Sequence, residues 1–321
     1  MNKLTIFTLK ALRKTYTKVF RIKPLPKPAC IQDPDKASQI IYDALMENKP
    51  CMIARFGAFE LNTMVNYLGV KKGERNYINY IKGNEPDWWW NNKLITYMHT
   101  NAGFFPPTVD KIEQFCELMM NDIPQVDVLG SWLPNELYFE QSYMHAPKIN
   151  LELLNPYFST LPWTKALEGK KVLVVHPFST TIEVQYKKRK LLFENNLLPQ
   201  FELTTITAVQ SVAGEKTSFK DWFEALDFMK AEIDKVDYDI CLIGAGAYGF
   251  PLAAHVKRRG KKAVHLGGSL QLLFGIKGKR WEDPNYNATY NYAALMNEHW
   301  VYPDESTKPK NAETVEGACY W

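Results

Sequence analysis

What this chain lacks narrows it first. Its five cysteines, at positions 30, 51, 116, 241 and 319, are odd in number and widely scattered, and no CxxC pair occurs. Neither a zinc ribbon nor a disulfide framework is supported, and a reducing cytoplasm is the expected setting. No apolar run approaches the roughly 18 residues that would argue for a membrane-crossing helix. The N-terminus has no uninterrupted apolar core followed by a small-residue cleavage site, so no secretory signal is expected. HExxH, the nucleophile elbow and the Walker loop are all missing, which leaves protease, hydrolase and P-loop readings without local support.

Acidic residues are missing from the first 32 positions, which hold eight basic ones: Lys3, Lys10, Arg13, Lys14, Lys18, Arg21, Lys23 and Lys27. The net charge is +4, so the remainder of the chain carries more acids than bases. An acidic body without basic–aromatic interleaving argues against a nucleic-acid partner. Within LTIFTLKALRKTYTKVFRIK, the residues Leu4, Phe7, Ala11, Leu12, Val19 and Phe20 fall near one helical face with lysines and arginines opposite. Such a segment, residues 3–23, can lie on an anionic membrane surface, which would make the protein peripheral on the inner face of a membrane. The plainer reading is a solvated helix that packs on its own domain.

What is present describes a globular chain with ample core: 321 residues, 46% hydrophobic and 13% aromatic, arranged as one large or two intimate α/β domains. Residues 1–35 form the basic arm and a Pro-rich linker, PLPKPACIQDPD. A body spans 36–278, with 71–125 as a possible helical insert, and 279–321 is an aromatic, Asn-rich tail. ASQIIYDALMENK reads as a helix ahead of a strand at 51–55. VDVLGS reads as another strand, followed by a helix from about Pro134. KKVLVVHPF is a strand, and STTIEVQYKKRKLLFENN its helix, with Ser179 or Thr180 as N-cap. FELTTITAVQ, YDICLIGAG and KKAVHLGG are further strands, separated by SFKDWFEALDFMKAEIDK and AYGFPLAAHVKRRG as helices. Strands alternating with helices predict a Rossmann-like, doubly wound, mostly parallel sheet with helices on both faces.

In open parallel sheets, ligands bind outside the carboxyl ends of the strands. The informative residues therefore follow each strand: Arg55 and Gly57, then His176, Ser179 and Thr180, then Gln210 and Ser211, then Gly244, Gly246 and Tyr248, and finally His265, Gly268 and Gln271. Gly244-x-Gly246-x-x-Gly249 between strand and helix is the literal dinucleotide fingerprint. The acid wanted about 20 residues on is replaced by His265 and glycine, so an NAD(P) enzyme is the alternative and a close-approach turn the simpler reading. His176 fits a general base, a phosphate contact or a structural histidine. Trp88, Trp89 and Trp90 fit either a sugar-stacking platform or core packing.

The stretch CMIARFGAFEL sets Arg55 and Glu60 on either side of one strand-to-helix turn. ARFGAFEL resembles the Arg-Phe-Gly-Asp-Gly-Glu signature of the GT-D type glycosyltransferase family, through Arg55, Phe56, Gly57 and Glu60. The resemblance implies a Rossmann-like sheet, a nucleotide-sugar donor and a glycan or lipid-linked acceptor in surface polysaccharide or glycoconjugate assembly. It implies catalysis or sugar orientation by Glu60, and diphosphate contacts from Arg55 and Gly57. The remaining candidates rest on their strand-end positions. Ala58 stands where the signature has its aspartate and Phe59 where it has glycine. An oxygen ligand for Mn²⁺ or Mg²⁺ is therefore missing, and metal dependence is put in question. A non-catalytic sugar- or nucleotide-binding member of the same fold is the other reading.

Overall fold

Apolar residues of alternate parity along the central strands go to opposite cores, and this decides the architecture. The computed structural model describes every residue except Glu316. Its strands are β1 Cys51–Arg55, β2 Val128–Ser131, β3 Lys148–Asn150, β4 Lys171–His176, β5 Glu202–Thr207, β6 Ile240–Ile243 and β7 Lys262–His265. They form one sheet in the order β3-β2-β1-β7-β6-β4-β5, parallel at every junction. Met52, Ala54, Leu173, Val175, Cys241, Ile243 and Ala263 face one cluster; Cys51, Ile53, Val172, Val174, Ile240, Leu242 and Val264 face the other. A sheet with both faces covered needs apolar runs rather than polar alternation, which is what these strands contain.

The helices are α1 Lys3–Val19, α2 Pro34–Met46, α3 Ala58–Lys71, α4 Tyr77–Lys82, α5 Asn92–Thr100, α6 Val109–Asp122, α7 Ser179–Tyr186, α8 Arg189–Leu192, α9 Trp222–Asp234 and α10 Gly249–Arg258. Helices α3, α6, α9 and α10 supply the first cluster. Helices α2 and α7 supply the second, together with Trp281, Tyr292 and Trp300 of the tail. The doubly wound α/β layout is thus as the alternating pattern predicts.

Three local expectations differ. β3 has no counterpart in the sequence reading; it is three residues long and held by pairing to β2 and by a bridge between Ile31 and Ile149. The segment from Pro134 is a 3₁₀ helix ending at Tyr143. The helix after β4 stops at Tyr186 and resumes as α8. Its N-cap is Phe178 without a side-chain cap; Ser179 Oγ instead shares a 2.6 Å hydrogen bond with Thr207 Oγ1 on β5. Trp88 and Trp89 are buried with Leu9 and Tyr80 in a satellite cluster under α1, which favours packing over a sugar platform.

Candidate functional site

The turn after β1 shows why opposite charges flank it. Arg55 ends the strand, while Phe56 turns fully inward and stacks on Phe250 of α10 at 5.0 Å. Gly57 is the N-cap of α3, and Glu60 lies in its first turn. A Cβ on Gly57 would fall 1.9 Å from Glu60 Oε2, so a glycine is required to let that carboxylate fold back over the turn. The anionic side chain also sits at the positive end of a 14-residue helix, where it is favoured. Burying Phe56 fixes the turn, and the chain on either side of it delivers Arg55 and Glu60 to one cleft.

Arg55 lies beside Gly267 after β7, and its guanidinium stands 5.4 Å from the centroid of Trp132 after β2. The Trp132 indole is fixed by donating from Nε1 to the Phe56 carbonyl at 3.1 Å. Fully buried Glu136 accepts from the backbone N–H groups of Trp132 and Leu133, each at 2.9 Å, and from Ser131 Oγ. Burial raises its carboxyl above the usual range, against the lowering effect of those donors. Arg55 itself makes no ion pair or hydrogen bond with a described residue. A guanidinium in a cleft with no direct ion pair among the described residues is a ready receptor for a phosphate or carboxylate, because its planar fork can bind two oxygens at once.

The cleft holds about 1040 Å³ of empty space, counted out to open solvent. Arg280, Trp281, Tyr286 and Tyr320 of the tail form part of its wall, with Glu60, Glu152, Asn155 and the Gly246 and Gly267–Gly268 turns completing it. Glu152 Oε2 accepts from the Tyr292 hydroxyl, which in turn accepts from Asn155 Nδ2 at 2.9 Å. Among the described residues, two guanidinium groups and two carboxylates therefore share one aromatic-walled space.

A second cleft of about 650 Å³ adjoins the first across Tyr320 and Gly246, between the ends of β4 and β6. The chain leaves these two strands in opposite directions, toward β5 and β7, so this is the topological switch point of the sheet. Among the described residues its lining carries no Asp, Glu, Lys or Arg side chain: His176, Phe178, Gln210, Ser211, Tyr248, Gln271 and Trp321 are its main side chains. His176 Nδ1 accepts from the Phe178 backbone N–H at 3.0 Å, so the proton resides on Nε2. Burial lowers the His176 pKa to about 3, and the ring is neutral at physiological pH. Buried Gln271 donates from Nε2 to the Lys277 and Tyr320 carbonyls at 2.7 and 3.1 Å, while its Oε1 has no hydrogen-bond partner among the described residues. Ser211 Oγ donates to the Gly103 carbonyl at 2.6 Å and lies 3.1 Å from the Tyr248 hydroxyl. Gly246, at φ +52°, takes the left-handed conformation that favours glycine and opens to both clefts.

The strand-end candidates thus separate. Arg55, Glu60, Gly246 and Gly268 line the charged cleft, with Gly57 directly behind Glu60. His176, Gln210, Ser211, Gly244, Gly246, Tyr248, Gly268 and Gln271 line the neutral one. Besides Gly57, three residues come to neither cleft. Ser179 is buried against β5 and Thr180 is exposed on the outer side of its helix. His265 is buried, with Nδ1 donating to the Ile243 carbonyl at 3.3 Å and its ring filling the space a Cβ on Gly249 would need. Burial first, then the Arg55 charge, lowers the His265 pKa to about 3. The third glycine of the fingerprint thereby serves helix–sheet packing.

Glu152, Asn155 and Arg280 were missed by reading the sequence. The first two follow the three-residue β3, which has no periodicity to find, and Arg280 lies in the aperiodic tail. Among the described residues no three His, Cys, Asp or Glu side chains gather closely enough to hold a metal ion.

No protein-family model and no curated protein matches the chain. Two solved structures are similar to it in outline. One is described as a highly conserved domain of unknown function 1792 with a distinct glycosyltransferase fold: 13% identity, TM-score 0.36, covering 94% of this chain and 98% of that one. The other is the selenomethionine-substituted form of that domain, at 12% identity, TM-score 0.36 and the same coverage. Likeness at this level carries no argument about activity.

Proposed function

We propose that the protein is a glycosyltransferase that moves a sugar from a nucleotide-sugar donor to a hydroxyl of a glycan or lipid-linked acceptor in glycoconjugate assembly. The observation that carries the reading is Arg55. It is a cation without an ionic or hydrogen-bonding partner among the described residues, and it shares with Glu60 a cleft at the carboxyl edge of a parallel sheet.

In this reading the donor's diphosphate lies against Arg55, Arg280 and the backbone of the Gly267–Gly268 turn. The nucleoside extends into the neutral cleft, where Phe178, Trp321 and Tyr248 offer aromatic surface. His176 Nε2–H and the open Gln271 Oε1 offer one donor and one acceptor to a base edge. The bond between the anomeric carbon and the phosphate oxygen breaks as the acceptor oxygen bonds to that carbon. The leaving diphosphate gains negative charge, which the two guanidinium groups stabilise more strongly in the transition state than in the ground state. Glu60 takes the acceptor's hydroxyl proton, and Glu152, held by Tyr292, orients the sugar's hydroxyl groups. No step is routed through a metal.

A screen of UDP-, GDP- and CMP-sugars for thermal stabilisation and donor turnover, with Mn²⁺ or with EDTA, tests the reading. At least one nucleotide sugar is expected to stabilise the fold and to be turned over in EDTA. Stabilisation by NADH alone would overturn the proposal in favour of a dinucleotide enzyme. Donor binding without turnover, unchanged by Glu60→Gln, would leave a binding protein.

A further inference from the structure

Helix α1 is docked through one face only. Leu9 is buried with Tyr80, Trp88 and Trp89. Arg13 donates to the Glu85 and Gly83 carbonyls at 3.0 and 3.5 Å and stacks over Tyr80 at 4.8 Å, and Lys10 pairs with Asp87 at 3.3 Å. These contacts orient the helix on the insert. Its other face remains in water and carries apolar side chains among threonines and lysines: Leu4 is 73% exposed, Phe7 71% and Val19 66%, with Leu12 on the same side and exposed Phe20 just past the helix end. Globular surfaces scatter single exposed apolar residues, but several along the free side of one fixed helix form a stripe that marks a contact surface.

The charge around the stripe says what it contacts. No acid occurs in residues 1–32. Lys14 and Lys18 lie on α1 beside the stripe, and with Lys10 and Arg13 they line a groove against Asn62 and Asn66 of α3. The first turn of α3 carries Glu60, so the groove and the charged cleft lie along one helix. Apolar side chains flanked by Lys14 and Lys18, which have no ion-pair partner among the described residues, suit a bilayer interface, with acyl chains taking the stripe and anionic headgroups the cations. A water-soluble acidic peptide would leave the apolar side chains uncovered.

We propose that α1 is an in-plane anchor that holds this protein on an anionic lipid bilayer through Leu4, Phe7, Leu12, Val19 and Phe20, with Lys14 and Lys18 on the headgroups. The helix, about 25 Å long at 1.5 Å per residue, lies parallel to the membrane because its opposite face is committed to the insert. The charged cleft is thereby held close to the surface on which a lipid-linked substrate would travel.

Co-sedimentation of the full chain with phosphatidylglycerol-containing vesicles, against pure phosphatidylcholine vesicles, tests this. The wild-type protein is expected to bind the anionic vesicles at 0.1 M salt and to lose most binding at 0.5 M. The double variant Phe7→Glu, Val19→Glu is expected to lose binding at least tenfold with an unchanged melting temperature, since both side chains are already in water. Lys14→Gln is expected to weaken binding about fivefold. The proposal is overturned if the wild type stays in the supernatant with anionic vesicles, or if the double variant binds as well as the wild type. It is equally overturned if the wild type is a dimer in the absence of lipid that the double variant converts to monomer while vesicles capture neither.

Discussion

The two clefts sit side by side on one sheet edge and share Gly246, Gly268 and Tyr320, yet their chemistry is opposite. The one beside β1 gathers two guanidinium groups and two carboxylates. The one between β4 and β6 gathers neutral donors and aromatic rings, and its histidine is kept uncharged by burial. The source of the difference is where each strand-end residue points. At β1 the apolar Phe56 takes the inward position and leaves Arg55 at the rim; at β4 the inward position and the rim are both occupied by a buried imidazole and a phenyl ring. The proposed donor, anionic at its middle and aromatic at one end, would span both. In the proposed reading, charge chemistry belongs to the first cleft and recognition to the second.

That division can be broken, most severely at Glu60. Glu60→Gln is expected to lower donor turnover by about 10²- to 10⁴-fold while leaving donor affinity within a few-fold, as measured by kcat and by thermal shift with the donor. An equal loss in both would move Glu60 from chemistry to binding. Arg55→Lys keeps the charge and removes the paired donors; donor affinity is expected to fall about 10- to 100-fold, read by titration calorimetry. Indifference to that change would remove the charged cleft from the diphosphate.

The neutral cleft makes a pH prediction. His176 and His265 have folded pKa values near 3, below the ordinary 6.5, so the unfolded chain takes up protons that the folded one refuses. Their contribution is whole above pH 6.5 and is lost as the pH falls toward 3, by about 1.4 kcal/mol per pH unit for each histidine. Urea midpoints between pH 7.5 and 5 are expected to decline less steeply in His176→Gln than in the wild type, and parallel curves would mean that His176 is not kept neutral. The smallest effect belongs to Tyr248→Phe. The hydroxyl lost is 3.1 Å from Ser211 Oγ, while the ring stacked on Trp222 at 4.8 Å remains. A stability loss of about 1 kcal/mol is expected, with KM raised more than kcat is lowered. A larger effect on kcat would erase the distinction between the clefts.

Much of this organisation was legible in the chain. Apolar runs such as VLVV and ICLI, short and bounded by turn residues, read as strands buried on both faces, and the amphipathic stretches between them as covering helices. The rim positions of Arg55, Gly246 and Gly268 followed from their places at strand ends, whereas Glu60 was singled out by the resemblance of ARFGAFEL. β3 was not legible, because three residues of strand carry no period and depend on β2 and Ile31 for their pairing. Glu152 was lost with it. Arg280 could not be placed because the tail has no repeating pattern; its position is set by Trp281, Tyr292 and Trp300 entering the core. Ser179 was expected as a helix cap because its type and position suit one, but a hydroxyl partner on β5 took that side chain instead.

The sequence by itself determined the alternation of strands and helices, the acid-free amphipathic arm, and the one sharp turn that delivers Arg55 and Glu60. These are local: they depend on the spacing of apolar residues and on a glycine where a carboxylate must fold back. Only the tertiary structure decided which rim residues meet. Strand order brings β7 beside β1 and β6 beside β4, and a tail from the far end of the chain closes the walls. Such contacts arise from packing between residues tens to hundreds of positions apart, and no local pattern encodes them.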